Sequence, residues 1–116
     1  MGDEKNLKVP KKIPEDSVDI YLLLMNNATK IRIMRDLLSG TKSFKQLSAS
    51  TKCLSWQLKK YLKQLTEYGL ITTTVYPGIP IVIEYTLTYM GELMKPTILA
   101  MAEWGSSYRT NIASKH

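Results

Sequence analysis

Leu54-Ser55-Trp56-Gln57-Leu58-Lys59-Lys60-Tyr61-Leu62-Lys63-Gln64-Leu65-Thr66-Glu67-Tyr68-Gly69 is the stretch on which the fold turns. At 100° per residue, Leu54, Leu58, Tyr61, Leu62, Leu65 and Tyr68 fall within about 120° of one another, and the opposite side carries Trp56, Lys59, Lys60, Lys63 and Glu67. The pattern predicts a helix over about 53–68 that Gly69 stops. Its core side is a run of leucines. Its outer side is lysine with a tryptophan in the middle, which a merely solvated face does not need.

Downstream of this helix, Ile71, Thr73 and Val75 alternate with Thr72, Thr74 and Tyr76, and Ile81, Ile83, Tyr85 and Leu87 alternate with Val82, Glu84 and Thr86. Period-two patterns over 70–76 and 81–87 predict two strands, and Pro77-Gly78-Ile79-Pro80 is turn chemistry between them. Upstream, Ser43 caps a short helix near 43–50 with Phe44 and Leu47 facing inward. Before that, a helix over roughly 28–39 places Ile31, Met34, Leu37 and Leu38 on its apolar side and Lys30, Arg32, Arg35 and Asp36 on its polar side, closed by Ser39-Gly40. A first helix near 17–26 starts at Ser17, with Asp16 and Asp19 nearby. It carries the stripe Val18, Tyr21, Leu22 and Met25, and Asn26-Asn27 breaks it.

The last element covers about 88–108, with Thr88 as its cap. Pro96 must kink it or open a new helix, since an interior proline removes a hydrogen bond and clashes with the preceding turn. Leu99 lies about 180° from Met90 on a continuous wheel, so apolar residues occupy more than half the circumference. One small core cannot cover that much. The expectation is a second copy of the chain held by Ile98, Leu99, Met101, Trp104 and Tyr108, with Tyr21, Leu22 and Met25 of the first helix assisting. Residues 1–14 read as a flexible basic arm, 15–108 as the domain and 109–116 as a tail. The fold class expected is α+β and mostly helical: a winged helix-turn-helix with a two-stranded hairpin wing and a C-terminal dimerisation helix.

Charge points to the partner. The 116 residues carry a net +6, but residues 30–63 alone hold Lys30, Arg32, Arg35, Lys42, Lys45, Lys52, Lys59, Lys60 and Lys63 against Asp36, a local +8. A field this concentrated fits a polyanion, and double-stranded DNA suits a basic helix of major-groove size. Lys59, Lys60 and Lys63 are the candidate phosphate contacts, since lysine meets phosphate as a point charge. Lys52 adds to the same field. Trp56 is a candidate for a thymine methyl or sugar, Ser55 for a short-range donation and Gln57 for an adenine edge. Lys42, Ser43 and Lys45 stand at a helix start, where N–H groups favour phosphate; simple capping explains Ser43 equally well.

Other chemistries find little support. One cysteine and one histidine, the last residue, exclude a disulfide framework and any Cys/His zinc site, and no Ser/His/Asp or Cys/His arrangement forms without an internal histidine. No phosphate-cradling glycine loop is present. The expectation is a non-enzyme without cofactor or metal. Cys53 beside Lys52 is a conceivable redox site, but a buried, inert thiol is the expected state. No apolar run approaches the roughly 18 residues of a membrane span and no signal peptide is visible, so the expected compartment is the cytoplasm.

Leu37-Leu38-Ser39-Gly40 with Ser43-Phe44-Lys45-Gln46-Leu47, then Leu58 to Leu65, then Tyr68-Gly69-Leu70-Ile71 resemble the HxlR-type winged-helix regulators, relatives of the MarR group. The most specific part is Pro80 through Glu84-Tyr85-Thr86-Leu87-Thr88, followed by Gly91, Leu93, Pro96 and Trp104-Gly105. The resemblance runs from about Leu22 to Trp104 and implies a homodimeric transcriptional regulator reading a palindromic operator. This chain departs from the family pattern with Thr29 in place of Trp, Ser43 in place of Arg, and Thr73 and Val82 where Arg is frequent. No Lys or Arg occurs between residues 70 and 87, so the wing has no cation for phosphate. A winged helix used for protein contacts, or a sequence-tolerant architectural DNA binder, remains the alternative. No effector is legible in the chain.

Overall fold

The computed structural model describes residues 12–115. Most of the arm expected over 1–14 lies outside them. The elements run α1 (Ser17–Leu24), α2 (Ala28–Leu37), β1 (Lys42–Ser43), α3 (Phe44–Thr51), α4 (Ser55–Glu67), β2 (Ile71–Tyr76), β3 (Val82–Leu87), α5 (Tyr89–Glu92) and α6 (Lys95–Lys115). Strands β2 and β3 form the expected antiparallel hairpin, in register from Ile71 opposite Leu87 to Tyr76 opposite Val82. A third strand was not expected: Lys42 and Ser43 pair with Tyr85 and Glu84, giving the order β1-β3-β2. Two residues are too few for a visible alternation.

The starts of α1, α2, α3 and α5 are each fixed by a side-chain cap, whereas α4 begins after Leu54 without one. Asp16, not Ser17, caps α1 by accepting from the Val18 N–H at 2.8 Å. The Asn27 side chain accepts from the Thr29 and Lys30 N–H groups and opens α2. Ser43 and Gln46 form a reciprocal capping box at α3. Thr88 caps α5 and also donates to the Gly69 carbonyl at 2.6 Å, tying the end of the hairpin to the exit of α4.

The core consists of Met25, Ile33, Met34, Leu37, Leu47, Leu58, Leu62, Leu65, Leu70, Ile71, Tyr85, Leu87 and Ile98. Four expectations change here. Met25 and Ile98, expected at the dimer seam, are buried in the chain's own core. Leu54, expected in the core, precedes the first turn of α4 and is 61% exposed. Lys30, expected on the outer side of α2, is only 3% exposed. The buried stripe of α2 is Lys30, Ile33, Met34 and Leu37, at spacings of three and four, so the helix is rotated from the Ile31-centred reading. The Lys30 ammonium lies 5.9 and 5.5 Å from the ring centroids of Tyr61 and Tyr68 and donates to Asn26 Oδ1 at 3.3 Å. Burial, and then the Lys60 charge, lower its pKa.

The C-terminal region is two helices rather than one. The chain turns at Leu93 and Met94, and Pro96 occupies the first turn of α6, where its missing N–H costs nothing. Met90 and Leu99 therefore do not share a helix, and the wheel that joined them does not apply. Helix α6 also runs to Lys115, past the end expected at Tyr108 and through most of the expected tail. Its 21 residues span about 32 Å, and the radius of gyration of 16.0 Å exceeds the roughly 13 Å of a compact domain near this length. No helix of the described residues is long and apolar enough to cross a membrane.

Candidate nucleic-acid interface

Helix α4 is held from one side only. Leu58, Leu62 and Leu65 are buried, while Ser55, Trp56, Lys59, Lys60 and Lys63 are exposed. Trp56 is 62% exposed, an arrangement that leaves a large aromatic side chain uncovered among three ammonium groups. Gln57 and Tyr61 are half-buried at the edges of this face. The Tyr61 hydroxyl accepts from Asn27 Nδ2 at 3.0 Å, so the start of α2 fixes the rotation of α4.

The preceding helix is anchored by Asp36. The Ser50 hydroxyl donates to its carboxylate, joining α3 to α2. The single acid of the basic segment thus serves to position α3. Lys45 and Lys52 are exposed and Lys42 is half-buried. The Ser43 hydroxyl is engaged by the Gln46 N–H at 3.1 Å, which gives the serine a capping role in the fold. Lys52 closes α3 in the left-handed region at φ 56°. Cys53 follows it, half-buried against the core and 3.4 Å from Thr51 Oγ1. Lys30 leaves the surface field altogether.

The hairpin joins this face through threonines. Thr66 of α4 and Thr73 of β2 share a hydroxyl hydrogen bond at 3.1 Å. Beside it a groove of about 280 Å³ is lined by Lys59, Leu62, Lys63, Thr66, Glu67, Thr73 and Tyr85. The wall contributed by the hairpin was not singled out from sequence. The alternation of 71–76 assigns Thr73 to the Ile71 face, and that signal was present.

Among the expected seam residues, Leu22, Leu99, Met101, Trp104 and Tyr108 are exposed, and Tyr21 is half-buried. The Tyr21 hydroxyl points at Met101 Sδ, 3.8 Å away, placing α1 beside α6, and burial raises the Tyr21 pKa. Trp104 and Tyr108 stack at 5.2 Å between centroids. At about 100° per residue Met101, Trp104, Tyr108 and Ile112 form an exposed stripe roughly 80° wide, turned to one side of the direction in which Ile98 enters the core.

Three helices, a lysine-faced fourth and a hairpin beside it define a winged helix-turn-helix protein. The chain belongs to the HxlR-like helix-turn-helix family of transcriptional regulators, whose family model matches residues 24–113. It is 36% identical over 86 residues to an HTH-type transcriptional regulator of Synechocystis, covering 73% of this chain and 64% of that protein, so it spans less than two thirds of that relative's length. It is 30% identical over 96 residues to the HTH-type transcriptional regulator YdeP of Bacillus subtilis, covering 82% of this chain and 75% of YdeP. Among solved structures, the redox regulator HypR in its reduced form superposes with a TM-score of 0.77 at 27% identity, over 85% of this chain and 99% of that one. The regulator ytfH of Salmonella typhimurium shares the fold with a TM-score of 0.75 at 22% identity, over 87% and 91% of the two chains. The relatives are named as transcriptional regulators rather than enzymes.

Proposed function

We propose that this chain is a homodimeric transcriptional regulator that binds double-stranded DNA with α4 in the major groove. The observation that carries the reading is the one-sided burial of α4: leucines seat one face fully, and the other offers Trp56, Lys59, Lys60 and Lys63 to solvent. Lys59, Lys60 and Lys63 meet phosphates, supported by Lys45 and Lys52, with Lys42 at the start of α3. Ser55, Trp56 and Gln57 lie nearest the base edges. The relatives' common designation as HTH-type regulators supports the same reading. A second copy docks on the α6 stripe beyond Met101, where Trp104, Tyr108 and Ile112 are exposed. A two-fold axis through that seam gives a palindromic operator with half-sites about one turn apart.

The test is DNA binding across a salt series, using duplex from the promoter of the chain's own gene. Each phosphate contact contributes about 0.9 to the log–log salt slope, so Lys59→Ala with Lys63→Ala lowers both affinity and slope. Unchanged affinity and slope would remove this face from the interface. A wild-type chain with no salt-dependent DNA binding would favour a protein-contact module, for which the absence of Lys and Arg from the hairpin speaks. Equal affinity for promoter and random duplex would favour an architectural binder.

A further inference from the structure

Apolar burial seats α4 without giving it a direction: the hydrophobic effect acts on area, and Leu58, Leu62 and Leu65 supply that area along one stripe. Hydrogen bonds add direction, and two of them reach α4 from different elements. On the wheel, Tyr61 and Thr66 lie about 70° to either side of the centre of the leucine stripe. Thr66 Oγ1 donates to the Leu62 carbonyl at 2.8 Å, so in its 3.1 Å bond with Thr73 of the hairpin Thr73 is the donor. Tyr61 is held from the other flank by Asn27. The Asn27 Oδ1 accepts from the Thr29 and Lys30 N–H groups at 2.7 and 3.3 Å, which fixes the orientation of the amide and turns Nδ2 to the Tyr61 hydroxyl at 3.0 Å. One side chain thus caps α2 with its oxygen and grips α4 with its nitrogen.

The rotation of α4 decides what its outer face can read. A side chain about 6 Å from the helix axis moves about 2 Å when the helix turns by roughly 20°. Hydrogen bonds to base edges hold only within a few tenths of an ångström of about 2.9 Å, so such a turn breaks them. Lysines meet phosphates as point charges on flexible stems, and those contacts survive it. Resting on the proposed function above, we propose that Asn27 and Tyr61 are positioning residues for base recognition: their hydrogen bond sets the rotation of α4, and with it the register of Ser55, Trp56 and Gln57 on the base edges. Neither side chain needs to touch DNA. Losing the bond costs discrimination between sequences and leaves the phosphate grip of Lys59, Lys60 and Lys63 in place. Lys30 stands apart from this bond. Its ammonium lies over the Tyr61 ring, 5.9 Å from the centroid, and donates to Asn26 Oδ1.

The experiment measures affinity for promoter duplex and for random duplex across a salt series, with wild type, Asn27→Ser, Tyr61→Phe, those two together, and Lys30→Met. Serine keeps the cap of α2 but is too short to reach Tyr61, and phenylalanine keeps the ring against Lys30. A thermal melt of each checks the fold. Either single variant at the bond is expected to lower the promoter-to-random affinity ratio about tenfold, the scale of one misplaced base contact, with an unchanged log–log slope. The double variant should fall no further than either single one, because both remove the same bond. Lys30→Met leaves the bond in place and should keep the wild-type ratio. A wild-type ratio in Asn27→Ser and Tyr61→Phe, whatever their melting temperatures, would reduce the bond to a stabilising contact and overturn the proposal. So would a double variant whose loss is the product of the single ones, or an equal loss in Lys30→Met. A wild type that binds both duplexes alike removes the proposed function and this proposal together; a discriminating wild type with equally discriminating variants overturns this proposal alone.

Discussion

At the residue scale, Trp56 and Lys30 make opposite points. Trp56 is mostly exposed, so Trp56→Ala should leave the melting temperature within a few degrees of wild type while weakening DNA binding. A buried Trp→Ala change would instead cost roughly 3–5 kcal/mol of stability, and a melting temperature lowered by that much would return Trp56 to the core. Lys30 was legible as a charge and illegible as a core residue, because residue type pointed outward while its spacing to Ile33, Met34 and Leu37 pointed inward. Its ammonium is accommodated by two tyrosine rings contributed by another helix and its exit, which no local window contains. Burial lowers its pKa below the ordinary 10.5, so the unfolded chain binds more protons than the folded one between the two values, and stability gains with rising pH in that window. Tyr21 and Tyr85, raised by burial above 10.0, act in the opposite sense above that pH. Comparing Lys30→Met with wild type cancels the tyrosines. Urea unfolding should show the Met variant's relative stability falling as pH rises from neutral towards 10.5, with DNA affinity and salt slope unchanged at neutral pH. A pH-independent difference would contradict the buried charge, and a reduced salt slope would put Lys30 back at the DNA.

At the element scale, what could be read from sequence was periodicity over more than two turns or four strand residues. Helix α4, the hairpin and α3 with its Ser43 cap follow from local pattern. Strand β1 does not, because its cause lies in Tyr85 and Glu84 of a distant strand and in the Thr41–Thr86 hydroxyl pair at 2.8 Å. The division between α5 and α6 was half-legible: Pro96 marked a discontinuity but not whether the chain kinks or restarts. Gly91 explains where α5 must sit. A Cβ there would intrude on the Leu70 carbonyl oxygen and come within 3.1 Å of Leu87 Cδ2, so α5 lies directly on the seam between α4's exit and β3. Because the first obstacle is backbone, Gly91→Ala should destabilise by about 2 kcal/mol or more and displace the hairpin base, which chemical denaturation can read. A neutral result would mean that α5 shifts freely and does not fix the wing. The candidate DNA face was legible for the same reason as α4, whereas the hairpin wall of the groove required knowing that Thr66 meets Thr73.

At the scale of the whole molecule, the chain is a small core with a long helix leaving it. Ile98 anchors α6 internally, and Met101, Trp104, Tyr108 and Ile112 form an exposed stripe along the rest of the helix. Removing α6 from Lys95 onward would therefore damage the core as well as the proposed seam. Trp104→Glu with Tyr108→Glu touches only exposed positions and leaves the fold in place. Each large apolar side chain buried between copies would contribute roughly 1.5–3 kcal/mol, so two charges placed there should convert the proposed dimer to monomer at micromolar concentration. A monomer holds only one α4 and too few phosphates for useful affinity. Hydroxyl-radical footprinting on promoter DNA, comparing wild type with this double variant, tests the account most directly. Two protected patches about one helical turn apart, related by a two-fold axis in the sequence, are expected for wild type, with loss of both in the variant. A single patch, or a footprint that the monomeric variant reproduces at wild-type affinity, would contradict it.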